Sequence, residues 1–539
     1  MKKILILGGG FGGVYCAKRL QKIKLNSFDI ELISDNNYFV FQPLLPEVAS
    51  GTISASDAVT PIRQMLNDVK FRNAEVNLID IKKKKIGILQ GFRKRQHFIQ
   101  YDELIIALGQ ESNLNIVPGL ANNAFTMRNL NDAYNLRNHV IRCLELADVT
   151  LDLSLKKRLL SFVVVGGGFS GVETIGELKE MIDRLIKYYR NINKNEIRFY
   201  LIEYASSLLP ELEKEIGLYT LQTLKKQNIK IFLNTKLREV SSMRAYINNN
   251  KSIESNTIIS TIGSTASKLL RNTELPLKFG KLITNEYCQV VDIENVWALG
   301  DCALVPNKVI KNDKEMNLVY SPPTAQFAVQ QAKILSKNIV LKTLKRKLKS
   351  FKYTSRGSLA SLGSKKGVGK IFFFRVRGLL AWIIWKGFYL SFIPSIPTRV
   401  RVFFNWLLEF FVPRNAVLTN SLNNKPFEKK NYKRGDIVFE EGMLPDGFYI
   451  VKSGEFSNSY RKTTSGKTFK KKYKKGDHFG SRVILEGGRR TGTIKALKNS
   501  EVLKINKESF KILADNLPVM KKYFSEYLPK NFSTLKLKE

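Results

Sequence analysis

FVVVGGGFSGVE, residues Phe162 to Glu173, decides the fold. Its four leading apolar residues, mostly β-branched, read as a buried parallel strand. Gly166-x-Gly168-x-x-Gly171 follows at once, opening a helix expected to start near Val172. In that pattern the first glycine allows the tight turn, the second lets backbone approach a pyrophosphate, and the third lets helix pack on strand. Free N–H groups at the helix start then hold the phosphate charge. One such fingerprint is weak evidence, because an ordinary strand-to-helix turn reads the same way. The chain carries it twice: Ile4 to Gly13, ILILGGGFGG, sets Gly8-x-Gly10-x-x-Gly13 directly on the strand Ile4 to Leu7. Two dinucleotides in one chain suggest electron or hydride transfer from one to the other.

Composition narrows the class. At 539 residues the chain has room for three or more domains, and 44% hydrophobic with 25% charged residues is a globular balance. A net charge of +41 implies an anionic neighbour, either lipid headgroups or nucleic acid. Cys16, Cys143, Cys288 and Cys302 form no CxxC pair, which argues for a reducing compartment and against a redox dithiol. A sulfide or disulfide substrate is disfavoured for the same reason. The three histidines form no ligand cluster, and no metal is expected. Met1-Lys2-Lys3 leads only four apolar residues before Gly8, so it opens a first strand rather than a signal peptide.

Ile30 to Asn37, IELISDNN, reads as a second strand ending in an acid 22 residues past Gly13. Asp35 is the candidate acceptor for a ribose hydroxyl, with a loop-capping role as the alternative. The run that follows, FQPLLPEVASG, resembles the signature of type II NADH:quinone oxidoreductases, single-subunit flavoenzymes that reduce membrane quinone without pumping protons. The resemblance continues through Tyr101 to Gly109 (YDELIIALG), Pro118-Gly119 and Arg128 to Glu145, and covers roughly the first three quarters of the chain. It implies FAD on Gly8, Gly10 and Gly13, with Gly109 beside it. That family has its ribose-binding acid where this chain has Ser34, and a one-residue shift to Asp35 turns a side chain to the other strand face.

The second fingerprint, Gly166, Gly168 and Gly171, is then expected to bind NADH. Glu203, ending RFYLIE, can accept from the adenine ribose and would repel a 2′-phosphate. Glu173 suits the first helical turn as an acid near the dipole, and the resemblance implies a place near flavin and nicotinamide instead. Val296 to Cys302, VWALGDC, reads as a strand, a Gly-Asp turn and a following helix. The resemblance to two-dinucleotide flavoproteins implies that Gly300 and Asp301 reach FAD, and capping of the next helix fits the same residues. In SPPTAQFAVQQ, Gln326 and Gln330 share a helix face, with Ala325 and Ala328 small enough for a flat ring to approach. Spacing alone makes this a polar helix edge. Its likeness to the family's AQxAxQ signature implies a ubiquinone or menaquinone site. The catalytic candidates are thus Glu173, Gln326 and Gln330.

Between Leu341 and Arg377 stand twelve Lys or Arg and no acid. Gly378 to Val412 then holds Trp382, Trp385, Phe388, Tyr389, Phe392, Phe403, Phe404, Trp406, Phe410 and Phe411, interrupted by Lys386, Arg399 and Arg401. No run reaches the roughly 20 residues of a membrane span, and Pro394 and Pro397 divide it. Two amphipathic helices lying in the headgroup layer, with snorkelling basic stems, fit this pattern; a buried helix pair is the alternative. The resemblance favours the membrane anchor, although Tyr389 stands where the family commonly has His.

From about Lys425, short strands and glycine turns suggest a β-roll with terminal helices over Glu508 to Leu528. This segment resembles a cyclic-nucleotide-binding domain, and GDHFGSRVIL with RRTGT matches its phosphate cassette. Arg490 could hold the phosphate. Ser481 replaces the family's ribose-binding Glu, which favours a structural or interaction role.

The chain is therefore expected to be α/β: two Rossmann-like dinucleotide-binding domains, anchor helices and a β-roll. Residues 1–120 and 281–340 make the FAD domain with the quinone-site helix, 121–280 the NADH domain, 341–415 the anchoring region and 425–539 the roll. The expected function is NADH:quinone oxidoreduction at the cytoplasmic face of the inner membrane, peripheral on anionic lipid, with no nucleic-acid partner. A small ligand at the roll and a homodimer stay open. The rival expectations are a soluble flavoprotein reductase with a protein acceptor such as ferredoxin, and a flavin-binding sensor with negligible NADH turnover.

Overall fold

The computed structural model describes residues 1–23, 28–91, 93–248, 251–312, 315–409, 411, 414, 417–418, 426–461, 468–517 and 519. Two five-stranded parallel sheets dominate it. The first runs in the order Val296–Ala298, Glu103–Ile106, Lys2–Leu7, Phe28–Ser34, Lys70–Asn73. The second runs Phe125–Thr126, Thr257–Ser260, Ser161–Val165, Arg198–Ile202, Ile229–Phe232. In each, the strand that carries the glycine fingerprint is central. Ile4, Leu5, Ile6 and Leu7 are fully buried, as continuous apolar strands must be when both sheet faces are covered.

The two units differ in continuity. The second is built from one stretch of chain, whereas the first is closed by Val296–Ala298, which pairs Trp297 with Ile105 after the second unit has intervened. Buried Trp297 donates to Glu103, 2.7 Å away, and Lys342 closes on the same carboxylate at 2.9 Å.

Helix Phe169–Leu185 begins three residues before the expected start at Val172. Gly168 is the extended N-cap residue, so Gly171 lies inside the first turn, where a Cβ would stand 1.8 Å from the Gly166 carbonyl oxygen. VWALGDC also differs from expectation. A 3-10 turn, Gly300–Cys302, leads into strand Ala303–Leu304, and the next α-helix is Ala325–Thr343.

A three-stranded antiparallel sheet, Gly357–Ser361, Gly367–Ile371 and Phe374–Arg377, feeds helix Gly378–Phe392 and then helix Ile396–Leu408. Among the described residues, no helix is long and apolar enough to cross a membrane. Leu379, Leu380 and Ile383 on the first helix, and Ile396, Val400, Phe403, Phe404, Leu407 and Leu408 on the second, are exposed. Trp382, Trp385, Lys386 and Trp406 are instead buried against the protein, so the expectation that the tryptophans and basic stems face lipid is corrected for these residues. Each indole N–H or ammonium described below has a buried carboxylate to meet, which a lipid face would not supply. Arg401 stays exposed and pairs with Asp57 at 2.9 Å.

The C-terminal segment forms two four-stranded antiparallel sheets: Phe427–Tyr432, Ser500–Asn506, Gly447–Ser453, His478–Phe479; and Ile437–Phe439, Thr493–Ala496, Glu455–Arg461, Thr468–Lys474. Helix Lys507–Asn516 follows, and the remainder of the expected helical stretch, 518 and 520–528, lies outside the described residues. This segment is docked on the second nucleotide unit. The Ser242 amide donates to the Asn431 carbonyl at 3.0 Å, Lys433 pairs with Glu239, and Met243 packs against its apolar core.

Candidate functional site

The two glycine loops are near copies. Gly8 and Gly166 adopt φ of 111° and 107°, a region glycine favours, and each donates its N–H at 2.8 Å to the last or next-to-last residue of the neighbouring strand, Ile33 or Ile202. A Cβ on Gly13 or Gly171 would meet the carbonyl oxygen of Gly8 or Gly166 at 2.0 or 1.8 Å. By contrast, a Cβ on Gly10 would meet nothing within 4 Å, and one on Gly168 only Glu211 at 3.8 Å. The middle glycines thus leave open backbone at two helix N-termini, the arrangement a pyrophosphate needs.

Beside the second loop, the Glu203 carboxylate accepts from the Gly167 N–H and from the Ala205 N–H, the latter at 2.6 Å. Ser34 stands to Gly9 as Glu203 stands to Gly167: a Cβ on Gly9 would lie 2.5 Å from Ser34 Oγ, and one on Gly167 would lie 3.0 Å from Glu203 Oε2. Ser34 is buried, while Asp35 is exposed and accepts from the Asn36 side chain at 3.0 Å. The strand alternation that separates neighbouring side chains accounts for this.

Gly109 and Gly300 also present open backbone, with φ of 66° and 74°; a Cβ on Gly300 would meet only Ala328, at 3.6 Å. Gln331, next to the candidate Gln330 and not itself singled out from the sequence, accepts the Gly300 N–H at 2.8 Å. Gln110 donates to the Asp301 carbonyl at 3.1 Å, and burial raises the Asp301 carboxyl, opposed by Lys281 and Arg128. Ala325 opens the helix. Gln326 is engaged at both ends: its amide donates to the Gly357 carbonyl at 3.1 Å and accepts from the Tyr353 hydroxyl at 3.0 Å. Gln330, half-buried, lies one turn further on.

Glu173 is buried where the second unit meets helix Gly378–Phe392. Its Oε1 accepts from the Ser361 N–H at 3.2 Å and from the Trp385 indole at 3.0 Å. Burial pushes its carboxyl up to about 8, the two donors pull it down, and Glu177 and Glu47 push it further up. Glu47, from the FQPLLPEVASG run, is raised to about 7 by burial, against Lys386 at 3.2 Å and the Trp406 indole at 2.6 Å. Glu177 accepts from Ser50 at 2.8 Å and Arg414 at 3.4 Å, and Arg414 reaches Glu409 at 2.6 Å. Sequence reasoning found Glu173 alone of these acids. Glu47 lay inside a quoted motif, and Trp385 and Lys386 lay inside the aromatic-basic run. Tyr389 packs edge-on to Trp385 and Phe41, and burial raises its phenol.

All four cysteines are free and buried. In the C-terminal segment, Arg490 is 2% exposed. Its guanidinium donates to the Gly480 and Gly447 carbonyls, both at 2.7 Å, pairs with Asp446 at 3.1 Å and stacks on Phe439 at 4.0 Å. Ser481 begins the short helix Arg482–Glu486 and makes no side-chain cap.

Three family models match the chain. Residues 2–332 match the pyridine nucleotide-disulphide oxidoreductase model, 355–415 the NDH2 C-terminal domain and 429–516 the cyclic nucleotide-binding domain. A probable NADH dehydrogenase of Dictyostelium discoideum is 29% identical over 415 residues, 75% of this chain and 89% of its own. A type II NADH:quinone oxidoreductase of Staphylococcus haemolyticus is 29% identical over 377 residues, 69% of this chain and 90% of its own. Among solved structures, NDH2 from Plasmodium falciparum in complex with NADH matches with a TM-score of 0.72 at 24% identity, covering 77% of this chain and 99% of that one.

Proposed function

The chain belongs to the pyridine nucleotide-disulphide oxidoreductase family, and from that premise we propose that it is a non-proton-pumping NADH:quinone oxidoreductase held on a membrane surface. The observation that carries this reading is the pair of open glycine cradles at Gly10 and Gly168, set on equivalent sheets of one chain. FAD bound by Gly8, Gly10, Gly13, Gly109, Gly300 and Asp301 would supply the two-electron carrier between NADH and quinone. Ser34, rather than Asp35, faces that cradle and accepts or donates at the ribose. NADH takes the second cradle. There Glu203 accepts from the ribose hydroxyls and disfavours a 2′-phosphate.

Quinone takes up two electrons and two protons, so its site needs a proton source. Glu173 suits this role: its Oε1 is committed to two donors, which leaves Oε2 to carry a proton below about pH 8. Gln330 would orient the headgroup, while Gln326, one turn earlier on the same helix, is tied to Gly357 and Tyr353. The outward apolar faces of helices Gly378–Phe392 and Ile396–Leu408, on a chain of charge +41, support binding to an anionic lipid surface. The four buried, unpaired thiols agree with the reducing, cytoplasmic side. The C-terminal segment, read as a β-roll, acts as a docked interaction module, since its would-be phosphate ligand Arg490 is consumed internally.

The test is anaerobic. NADH should bleach the flavin, and a soluble quinone analogue should restore its colour, slowly in Gln330→Leu and at the parent rate in a surface control. Restoration in Gln330→Leu as fast as in the parent would remove the quinone assignment. A chain that stays colourless after incubation with FAD would remove the reading altogether.

A further inference from the structure

Strands Gly367–Ile371 and Phe374–Arg377 pair Ile371 with Phe374, so their connection is a two-residue turn, Phe372-Phe373. Such turns favour Asn and Gly because their backbone passes through the left-handed region. Phe372 is held there with φ of 52°. The turn therefore carries aromatic residues against its own conformational preference. Packing does not compensate: Phe372, Phe373 and Phe374 are 61%, 91% and 75% exposed. Three adjacent solvent-facing rings on a strained turn break two local rules at once, and such violations collect where function demands them.

The surroundings point to what receives the rings. Gly378 follows this hairpin directly and opens the helix that exposes Leu379, Leu380 and Ile383, so the apolar surface continues from the turn onto that helix. The cations nearest the tip are neutralised at its base. Lys370 and Arg375 pair with Glu213, Arg375 also pairs with Glu215, and Arg377 lies 3.7 Å from Glu215. Neutralised stems lower the cost of bringing the tip toward hydrocarbon.

We propose that the Phe372–Phe374 tip is a wedge that inserts into the acyl boundary of a lipid bilayer, separate from the two helices and strapped to the second nucleotide unit. The inference rests on the membrane reading above. Glu213 and Glu215 flank the start of helix Lys214–Lys226, and the segment before it runs beneath the second glycine loop, where the Leu209 N–H donates to Gly167 at 2.9 Å. Insertion thus seats the NADH-binding unit, and not only the C-terminal helices, against the membrane.

The holoenzyme with Phe372→Gly and Phe373→Asn tests this, because positive φ falls on residue 372 and not on 373, so that pair suits the turn and should preserve or raise the melting temperature. On vesicles of phosphatidylcholine with added phosphatidylglycerol, the variant should bind at least about tenfold more weakly than the parent. Turnover with ferricyanide should be unchanged. In a second arm, Phe373→Cys carries an environment-sensitive fluorophore; the native thiols are all buried, so labelling is selective, and emission should rise and shift to the blue on the same vesicles. Equal vesicle binding by parent and variant, with no spectral change, overturns the wedge alone. A parent that binds no vesicles overturns the membrane reading and the wedge with it. A variant that loses a dimer present in the parent overturns it in favour of a contact between two copies of this chain.

Discussion

The indole nitrogen of Trp385 lies 3.0 Å from Oε1 of Glu173, joining the helix that follows the exposed hairpin to the helix that opens on the second glycine loop. A donor on one carboxylate oxygen favours the ionised form. Trp385→Phe should therefore raise the Glu173 pKa further and move the alkaline limb of the turnover profile to higher pH. Glu173→Gln should flatten that limb. The check is kcat against pH for the three proteins, and an unmoved limb in both variants would separate Glu173 from proton supply.

Stability should also record these acids. Glu173 and Glu47 stand at about 8 and about 7, above an ordinary value of 4.5, so the folded state holds more protons than the unfolded state between those limits. Their contribution is fully present below pH 4.5 and is lost as pH rises through about 8. Glu173→Gln should reduce that downward slope. Denaturant midpoints taken across this pH range measure it.

The two cradles should fail independently. Gly13→Ala forces a Cβ to 2.0 Å from the Gly8 oxygen and should yield protein without flavin. Gly171→Ala, with its contact at 1.8 Å, should retain colour while KM for NADH rises at least about tenfold. Absorbance and steady-state kinetics distinguish them.

Arg414 bridges two buried carboxylates, Glu177 and Glu409, and is itself buried. Removing one partner of a buried pair leaves charge uncompensated, so Arg414→Ala should cost about 3–5 kcal/mol. Chemical denaturation of parent and variant gives the value directly.

Arg490 should behave as a structural residue. Cyclic AMP should produce no thermal shift in the parent, because both terminal nitrogens of the guanidinium already donate to Gly480, Gly447 and Asp446. Arg490→Ala should lower the melting temperature of the C-terminal segment, because the buried Gly447 carbonyl and the half-buried Gly480 carbonyl lose their donor at a cost of about 1–3 kcal/mol. Calorimetry with and without nucleotide reads both effects.

Local chemistry made much of this molecule legible. Each glycine fingerprint states its own geometry within a dozen residues, since turn, helix start and close approach are all short-range events, and the apolar runs at Ile4 and Phe162 disclose strands covered on both sides. Glu203 was legible as the acid that ends the second strand of its unit. The acid cluster was not, because Glu47, Glu173, Glu177, Glu409 and Arg414 come from segments that meet only through tertiary packing. The tryptophans misled for a related reason. An indole can face lipid or a buried carboxylate, and composition does not distinguish them; Trp385 and Trp406 take the second course. Ser34 and Asp35 show the limit of motif spacing, where one step along a strand exchanges inside for outside.

The strand Val296–Ala298 has a consequence for how the chain is made. Emerging from the ribosome, the amino-terminal sheet must wait with an open edge beside Glu103–Ile106 until nearly the three-hundredth residue arrives, whereas the sheet built around Ser161–Val165 is complete earlier and from contiguous chain. The order of synthesis and the order of assembly are thereby reversed, and the nascent protein would bury its second cradle before its first is whole.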